Sequence, residues 1–207
     1  GAVILRNAEV TGGDFSNGAW TLHSKAGPVS ARVVINAAGN FGDLVEAIAR
    51  PSPFTITPRR GQFVVFDKQA SELIDAIILP VPTERTKGVV LFRTAYGNLA
   101  IGPTAEDVME REVAATDTAT LERLKARALE MVPSLAGIGV NAIYAGLRPA
   151  TEHKDYVIEA LPERGWITVG GIRSTGLTAS LGIAQHVSRL YAAHFGDLPN
   201  TPEPIWT

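Results

Sequence analysis

The stretch Gly170-Gly-Ile-Arg-Ser-Thr-Gly-Leu-Thr178 lies between a strand pattern and a helix pattern, and constrains this chain more than any other segment. Upstream, Trp166-Ile-Thr-Val169 is rich in β-branched and aromatic residues and predicts a short strand. Downstream, Leu181, Ala184, Val187, Tyr191 and Phe195 recur at helical spacing. A glycine-rich turn joining the two directs backbone N–H groups, and the positive end of a helix dipole, at one place. Such a place suits an anion or the electron-rich edge of a cofactor. Arg173 sits in the turn. It could satisfy carbonyls at a neighbouring turn, but a cation beside a helix N-terminus adds to the positive field, which costs stability unless an anion visits and so favours a charged ligand.

The remaining patterning predicts an α+β protein. Residues 2–10, 20–24 and 31–35 read as strands separated by turns at Gly12-Gly13 and Gly27-Pro28, and 44–49 as a short helix closed by Pro51 and Pro53. From 54 to 106 the strand signal dominates, with candidates at 54–67, 76–82, 88–94 and 98–103 and a hairpin tip at Tyr96-Gly-Asn98. A helix follows, capped by Asp117 or Thr118, with Leu121, Leu124, Ala128 and Met131 on one face and Pro133 as its stop. Strands at 142–147, 156–160 and 166–169 lead to the last helix.

Several chemistries are excluded. The chain has 207 residues, no cysteine and a formal net charge of −2. There is thus no disulfide, thiolate nucleophile or cysteine-ligated metal, and no basic footprint for nucleic acid. No apolar run reaches the roughly 18 residues of a membrane span. No Gly-x-Ser-x-Gly elbow, His-Glu-x-x-His or Walker loop occurs. His186 and His194 read as helix-surface residues, and His153 as either a site or a loop residue.

Arg148, in Tyr144-Ala-Gly-Leu-Arg-Pro149, is placed at the end of an apolar strand and fixed in direction by the proline. A guanidinium there could hold a carboxylate or phosphate through two parallel hydrogen bonds, or close the strand end as a structural salt bridge. Both readings stand. Asn36-Ala-Ala-Gly39 could equally be a simple sharp turn or a point of close backbone approach to a nucleotide.

Together these segments resemble the FAD-dependent oxidoreductases of the glycine oxidase, D-amino-acid oxidase and glycerol-3-phosphate dehydrogenase group. Val34-Ile-Asn-Ala-Ala-Gly39 is similar to the strand and turn that close that family's FAD domain, and Arg60-Gly-Gln-Phe63 to the opening of its substrate-domain sheet. Gly102-Pro-Thr-Ala-Glu-Asp107 and Gly146-Leu-Arg-Pro149 resemble the glycerol-3-phosphate dehydrogenase branch, and 170–178 the last flavin-contacting loop.

The resemblance implies hydride removal from a carbon bearing an amine or hydroxyl, with FAD as acceptor and a small anionic substrate, glycerol 3-phosphate first. Arg148 and Arg173 would bind the substrate. Ala38, Gly39, Gly171, Ile172, Ser174, Thr175, Gly176, Leu177 and Thr178 would contact the cofactor, and no catalytic residue or metal ligand is assigned. The implied division is a partial FAD-binding domain at 1–50 and 162–198, a substrate-binding domain at 51–161 with a mostly antiparallel sheet and flanking helices, and a tail at 199–207. The first of these would be the C-terminal remnant of an α/β domain.

One departure stands out: the family's Gly-x-Gly-x-x-Gly fingerprint does not occur. The chain is therefore expected to be the C-terminal portion of a longer enzyme, inactive by itself, completed by an N-terminal FAD-domain segment or self-associating through exposed apolar surface. It is expected in the cytoplasm, or peripheral at a membrane. A non-catalytic module binding an anionic metabolite or partner protein is the competing expectation.

Overall fold

The computed structural model describes residues 2–81 and 88–196. The chain divides into two compact units, one running through Ile56 and resuming at Pro149, the other Thr57–Arg148.

The first unit opens with strands β1 (Val10–Ser16), β2 (Ala19–Ser24) and β3 (Val29–Ala31), an antiparallel meander in that order. The expected strand over 2–10 is absent; residues 2–9 carry no strand and β1 begins at Val10. Gly12-Gly13 is not a turn but lies inside β1, where a Cβ on Gly13 would stand 3.0 Å from Leu22 and 3.3 Å from Trp20. The turn is made by Asn17 and Gly18, with φ of 52° and 75°, the conformations a tight two-residue hairpin demands.

A second sheet runs β10 (Val157–Leu161), β11 (Trp166–Gly170), β4 (Val34–Asn36), with β11 antiparallel to β10 and parallel to β4. All five residues of β11 are buried, as befits its central position. Helix α1 (Gly42–Ala49) follows β4, and α3 (Gly176–Phe195) follows β11. The packing centre is Trp20 against Trp166, ring centroids 5.1 Å apart, with Ala49.

The second unit is a sheet of order β6 (Val90–Arg93), β7 (Leu99–Gly102), β5 (Thr57–Phe66), β8 (Glu106–Asp107), with β9 (Val140–Ala150) also on β5. The pairings β6–β7, β7–β5 and β5–β8 are all antiparallel, as the sequence pattern predicts. The candidate strand at 76–82 contributes only an isolated bridge, Ile78 to Leu91, and its last residue lies outside the described residues.

Helix α2 (Thr118–Met131) covers this sheet. Asp117 caps it by accepting the Thr120 N–H at 2.8 Å, and Leu124 and Ala128 are buried against Val64, Phe66, Leu91, Leu99 and Ile101. Leu121 and Met131 are partly buried beside them, and the helix gives way at Pro133 to a 3-10 turn.

The units divide inside the span 51–161 expected for the substrate domain. Phe54 and Ile56 stay with the first unit because the Phe54 ring packs on Gly170 and the Ile56 N–H donates to Asp43 at 2.9 Å. The strand after 156 joins it as well, paired along its whole length with β11. Residues 197–207, which include the expected tail, lie outside the described residues.

Candidate functional site

Two turns of the first unit leave the sheet at the same edge. β4 and β11 are parallel neighbours, with Val34 opposite Trp166 and Asn36 opposite Thr168. The turn after Asn36 and the loop after Gly170 therefore both start from carboxyl ends of adjacent strands, the usual ligand position in sheets with parallel strands. A cavity of about 290 Å³ in this unit is lined by Phe15, Arg32, Tyr191 and Phe195 and includes neither turn.

Asn36 is buried and shapes the first turn. Its Oδ1 accepts the Ala38 N–H at 3.3 Å, while its Nδ2 donates to Gly42 O at 2.8 Å and to Glu46 Oε2 at 3.0 Å. Glu46, fully buried on α1, also accepts from Trp166 Nε1 (3.0 Å), Thr168 Oγ1 (2.8 Å) and Arg50 Nε (2.8 Å). Four donors thus surround one carboxylate, and β4, β11 and α1 are tied at a single point. Ala38 is half-buried, and Gly39 is exposed with φ of 57°. A Cβ on Gly39 would meet nothing within 4 Å, so open space lies beside its backbone.

In the second loop, Gly170 allows the Phe54 ring to approach where a Cβ would be 2.6 Å from it. Gly171 is buried at φ 68°, and the Arg173 N–H donates back to the Gly171 carbonyl at 2.8 Å. Ile172 and Arg173 are half-buried, and Ser174 is exposed. Thr175 precedes α3 with φ 59° and ψ 12°, and its side chain does not cap the helix. A Cβ on Gly176 would meet Ile172 Cγ2 at 2.8 Å, whereas Leu177 and Thr178 are exposed.

The first turn of α3 carries no acidic residue. Among the described residues no partner faces the Arg173 guanidinium. The uncapped amides of α3 and the Arg173 cation, carried by a loop with Gly171 and Thr175 at positive φ, form a donor-rich cradle, which fits the acceptor-rich edge of a flavin.

Arg148 belongs to the second unit, near the end of β9. Three arginines there differ sharply. Arg59 pairs with Asp107 at 2.6 Å, which holds the Asp107 carboxyl below its usual range through that hydrogen bond. Arg60 pairs with Glu106 at 2.6 Å and Asp117 at 3.2 Å. Arg148 has no carboxylate partner among the described residues; it donates to the carbonyls of Thr104 (2.9 Å) and Arg59 (3.5 Å). Burial, with the neighbouring Arg59 charge, pushes its pKa down. Among the described residues the structural salt bridge that the sequence allows is not formed. A half-buried cation without a counter-charge is one to which an anion would add stability.

His153 is a loop residue, with Nε2 3.1 Å from the Pro53 carbonyl, and His186 and His194 are exposed on α3. Sequence reasoning misses Glu46 and Tyr156. The signal for Glu46 is its i, i+4 spacing to Arg50 on a short, mostly apolar helix. Tyr156 reaches out of the turn before β10 to the Ser174 carbonyl.

Comparison with known proteins places the chain in a family. The FAD dependent oxidoreductase family, DAO, matches residues 1–190. A glycerol 3-phosphate dehydrogenase of Caloramator mitchellensis is 31% identical over 188 residues, covering 90% of this chain and 39% of the relative. A glycerol 3-phosphate oxidase of Mycoplasma pneumoniae is 30% identical over 204 residues, covering 95% and 53%. The solved structure of dithionite-reduced L-alpha-glycerophosphate oxidase from Mycoplasma pneumoniae with FAD bound superposes with a TM-score of 0.80 at 28% identity, covering 93% of this chain and 52% of that one. The chain thus spans about half the length, or less, of the relatives it matches. Its strand order, its two turns and the match over nearly the whole described length converge: the chain belongs to the DAO family of FAD-dependent oxidoreductases.

Proposed function

We propose that this chain supplies the substrate-binding unit and the second half of the flavin site of an enzyme that oxidises a small anionic alcohol or amine, with glycerol 3-phosphate as the first substrate to test. The observation that carries the reading is Arg148, half-buried and without a carboxylate partner among the described residues while Arg59 and Arg60 beside it are paired. Its planar fork suits a phosphate or carboxylate. Arg173, likewise unpaired among the described residues, is proposed as a second anion-binding side chain.

FAD, when bound, supplies the hydride acceptor. This chain's part is to hold it: Ala38 and Gly39 offer a close-approach backbone, and Gly171, Ile172, Ser174, Thr175, Gly176, Leu177 and Thr178 line the donor-rich cradle. The positive end of α3 favours negative charge placed before it. The rest of the flavin site would come from a segment outside these 207 residues, one that also covers Leu177 and Leu181, 91% and 85% exposed here. Among the described residues no helix is long and apolar enough to cross a membrane. A cytoplasmic site of action is proposed from the cysteine-free composition.

The test is anaerobic titration of the protein expressed from the whole reading frame that includes these residues. Glycerol 3-phosphate should bleach the flavin band, whereas neutral glycerol should not. Arg148→Ala should lower kcat/KM tenfold or more, the effect of losing a charge-assisted contact of about 1.5–3 kcal/mol. A colourless protein that takes up no FAD would overturn the proposal. Bleaching only by an amino acid would move the substrate to the amine class.

A further inference from the structure

We propose that Tyr156 is a positioning residue for the cofactor cradle, because its hydroxyl draws Thr175 away from capping α3 and so leaves the first-turn amides open to a ligand. This rests on the flavin reading above. Three oxygens form a closed triangle: Tyr156 OH donates to the Ser174 carbonyl at 2.7 Å, lies 2.7 Å from Thr175 Oγ1, and Thr175 Oγ1 is itself 2.6 Å from that carbonyl. Two hydroxyl hydrogens serve the set, one donated to the carbonyl and one passed between the hydroxyls.

A threonine directly before a helix normally turns its Oγ onto the amides of the second or third helical residue. Thr175 holds that place yet makes no such bond, and its backbone sits at φ 59°, a left-handed conformation that β-branched residues avoid. Such a departure persists only where surrounding contacts enforce it. The triangle is that enforcement. Released from it, Thr175 could return to negative φ and satisfy the Leu177 or Thr178 N–H, the very groups offered to the flavin.

The segment that presents Tyr156 is itself fixed. Asp155 Oδ1 accepts the Tyr156 N–H at 2.7 Å, and the Thr151 hydroxyl accepts the His153 N–H at 3.2 Å. The same segment abuts the other end of the loop, since a Cβ on Gly171 would lie 3.4 Å from Thr151 Oγ1 and 3.6 Å from the Asp155 carbonyl. Residues 151–156 therefore hold the cradle from both sides, which gives the loop around His153 a use that needs no chemistry from its imidazole.

The test compares wild type, Tyr156→Phe, Thr175→Ala and the double variant in the protein from the whole reading frame. The FAD dissociation constant is measured by flavin fluorescence, and amide hydrogen exchange at 176–178 in the flavin-free form. Tyr156→Phe should weaken FAD binding about threefold to tenfold, the span of one neutral hydrogen bond. It should also slow exchange at Leu177 or Thr178, as Thr175 becomes their cap. Removing the cap hydroxyl should rescue it: the double variant should bind FAD more tightly than Tyr156→Phe alone. Faster exchange in Tyr156→Phe, an unchanged FAD constant, or no rescue each overturns the role. If wild type takes up no FAD, the flavin reading fails, and the exchange rates still decide whether Tyr156 withholds the cap.

Discussion

The two units are held together in contrasting ways. In Thr57–Arg148 the helix α2 is capped by Asp117 and buries Leu124 and Ala128 in an apolar core. The unit that begins the chain and resumes at Pro149 has an aromatic centre of Trp20 and Trp166 with Ala49, and its tie point is the buried carboxylate of Glu46 among four donors. Its helix α3, twenty residues long, is uncapped and contains no buried residue. One unit is finished by its own sequence, whereas the other keeps a polar edge and an apolar helix face in reserve.

The largest effect should come from Glu46. Glu46→Ala leaves Trp166 and Thr168 without their acceptor and takes one of two from Asn36, which keeps the Gly42 carbonyl, and from Arg50, which keeps Glu159; loss of one partner of a buried charged cluster costs about 3–5 kcal/mol. Urea unfolding followed by Trp20 and Trp166 fluorescence reads it, since both rings lie in that unit. A loss near zero would mean that the aromatic centre alone holds the unit. Next is Leu124→Ala, expected to cost about 2–5 kcal/mol by opening a cavity in the apolar core. It is read by circular dichroism of the same unfolding.

A smaller, pH-dependent effect belongs to Asp117. Hydrogen bonds from Gln62 and Thr120, with Arg60 nearby, hold its carboxyl down to about 2. The folded value lies below the unfolded one, so the stabilisation is complete above the ordinary carboxylate pKa near 4 and is lost as pH falls through about 2. Asp117→Asn should therefore lower the melting temperature at neutral pH and flatten its decline between about pH 4 and about pH 2. An unchanged acid limb would remove Asp117 from the account.

The smallest effect sharpens the contrast most. Leu181→Ala should change the stability of the 207-residue chain by no more than about 0.5 kcal/mol, as surface changes do, because its side chain is 85% exposed. The same substitution in a longer flavin-binding protein should cost more. Equal, large costs in both would show that the α3 face is already covered.

Legibility in the sequence follows the same division. The α2 face, its aspartate cap and its proline stop can be read because local propensity and burial agree there. Along α3 the apolar spacing is equally clear, but Val187, Tyr191 and Phe195 are half-buried whereas Leu181 and Ala184 differ from them in what covers them, Leu181 standing exposed. Periodicity marks a face without saying what covers it. Gly12-Gly13 reads as a turn yet lies in a strand, because glycine serves close packing as well as bends, while Asn17-Gly18 carries the stronger hairpin signal. Arg148 and the 170–178 loop are legible from residue type beside a strand end. Glu46 and Tyr156 act across long stretches of chain, which no local pattern discloses.

The parallel pairing of β4 with β11 also sets an order of events in time. Val34 cannot meet Trp166 until the whole intervening unit has left the ribosome. At about 5–20 residues per second, that wait is on the order of ten seconds. During it, β4 and the buried face of α1 have no β11 to pack on, while the intervening unit has its full complement of strands and can fold first. The discontinuity leaves the early segment without its partner strand in that interval, and the glycine-rich loop cannot take its place beside the Asn36 turn until β11 has joined β4.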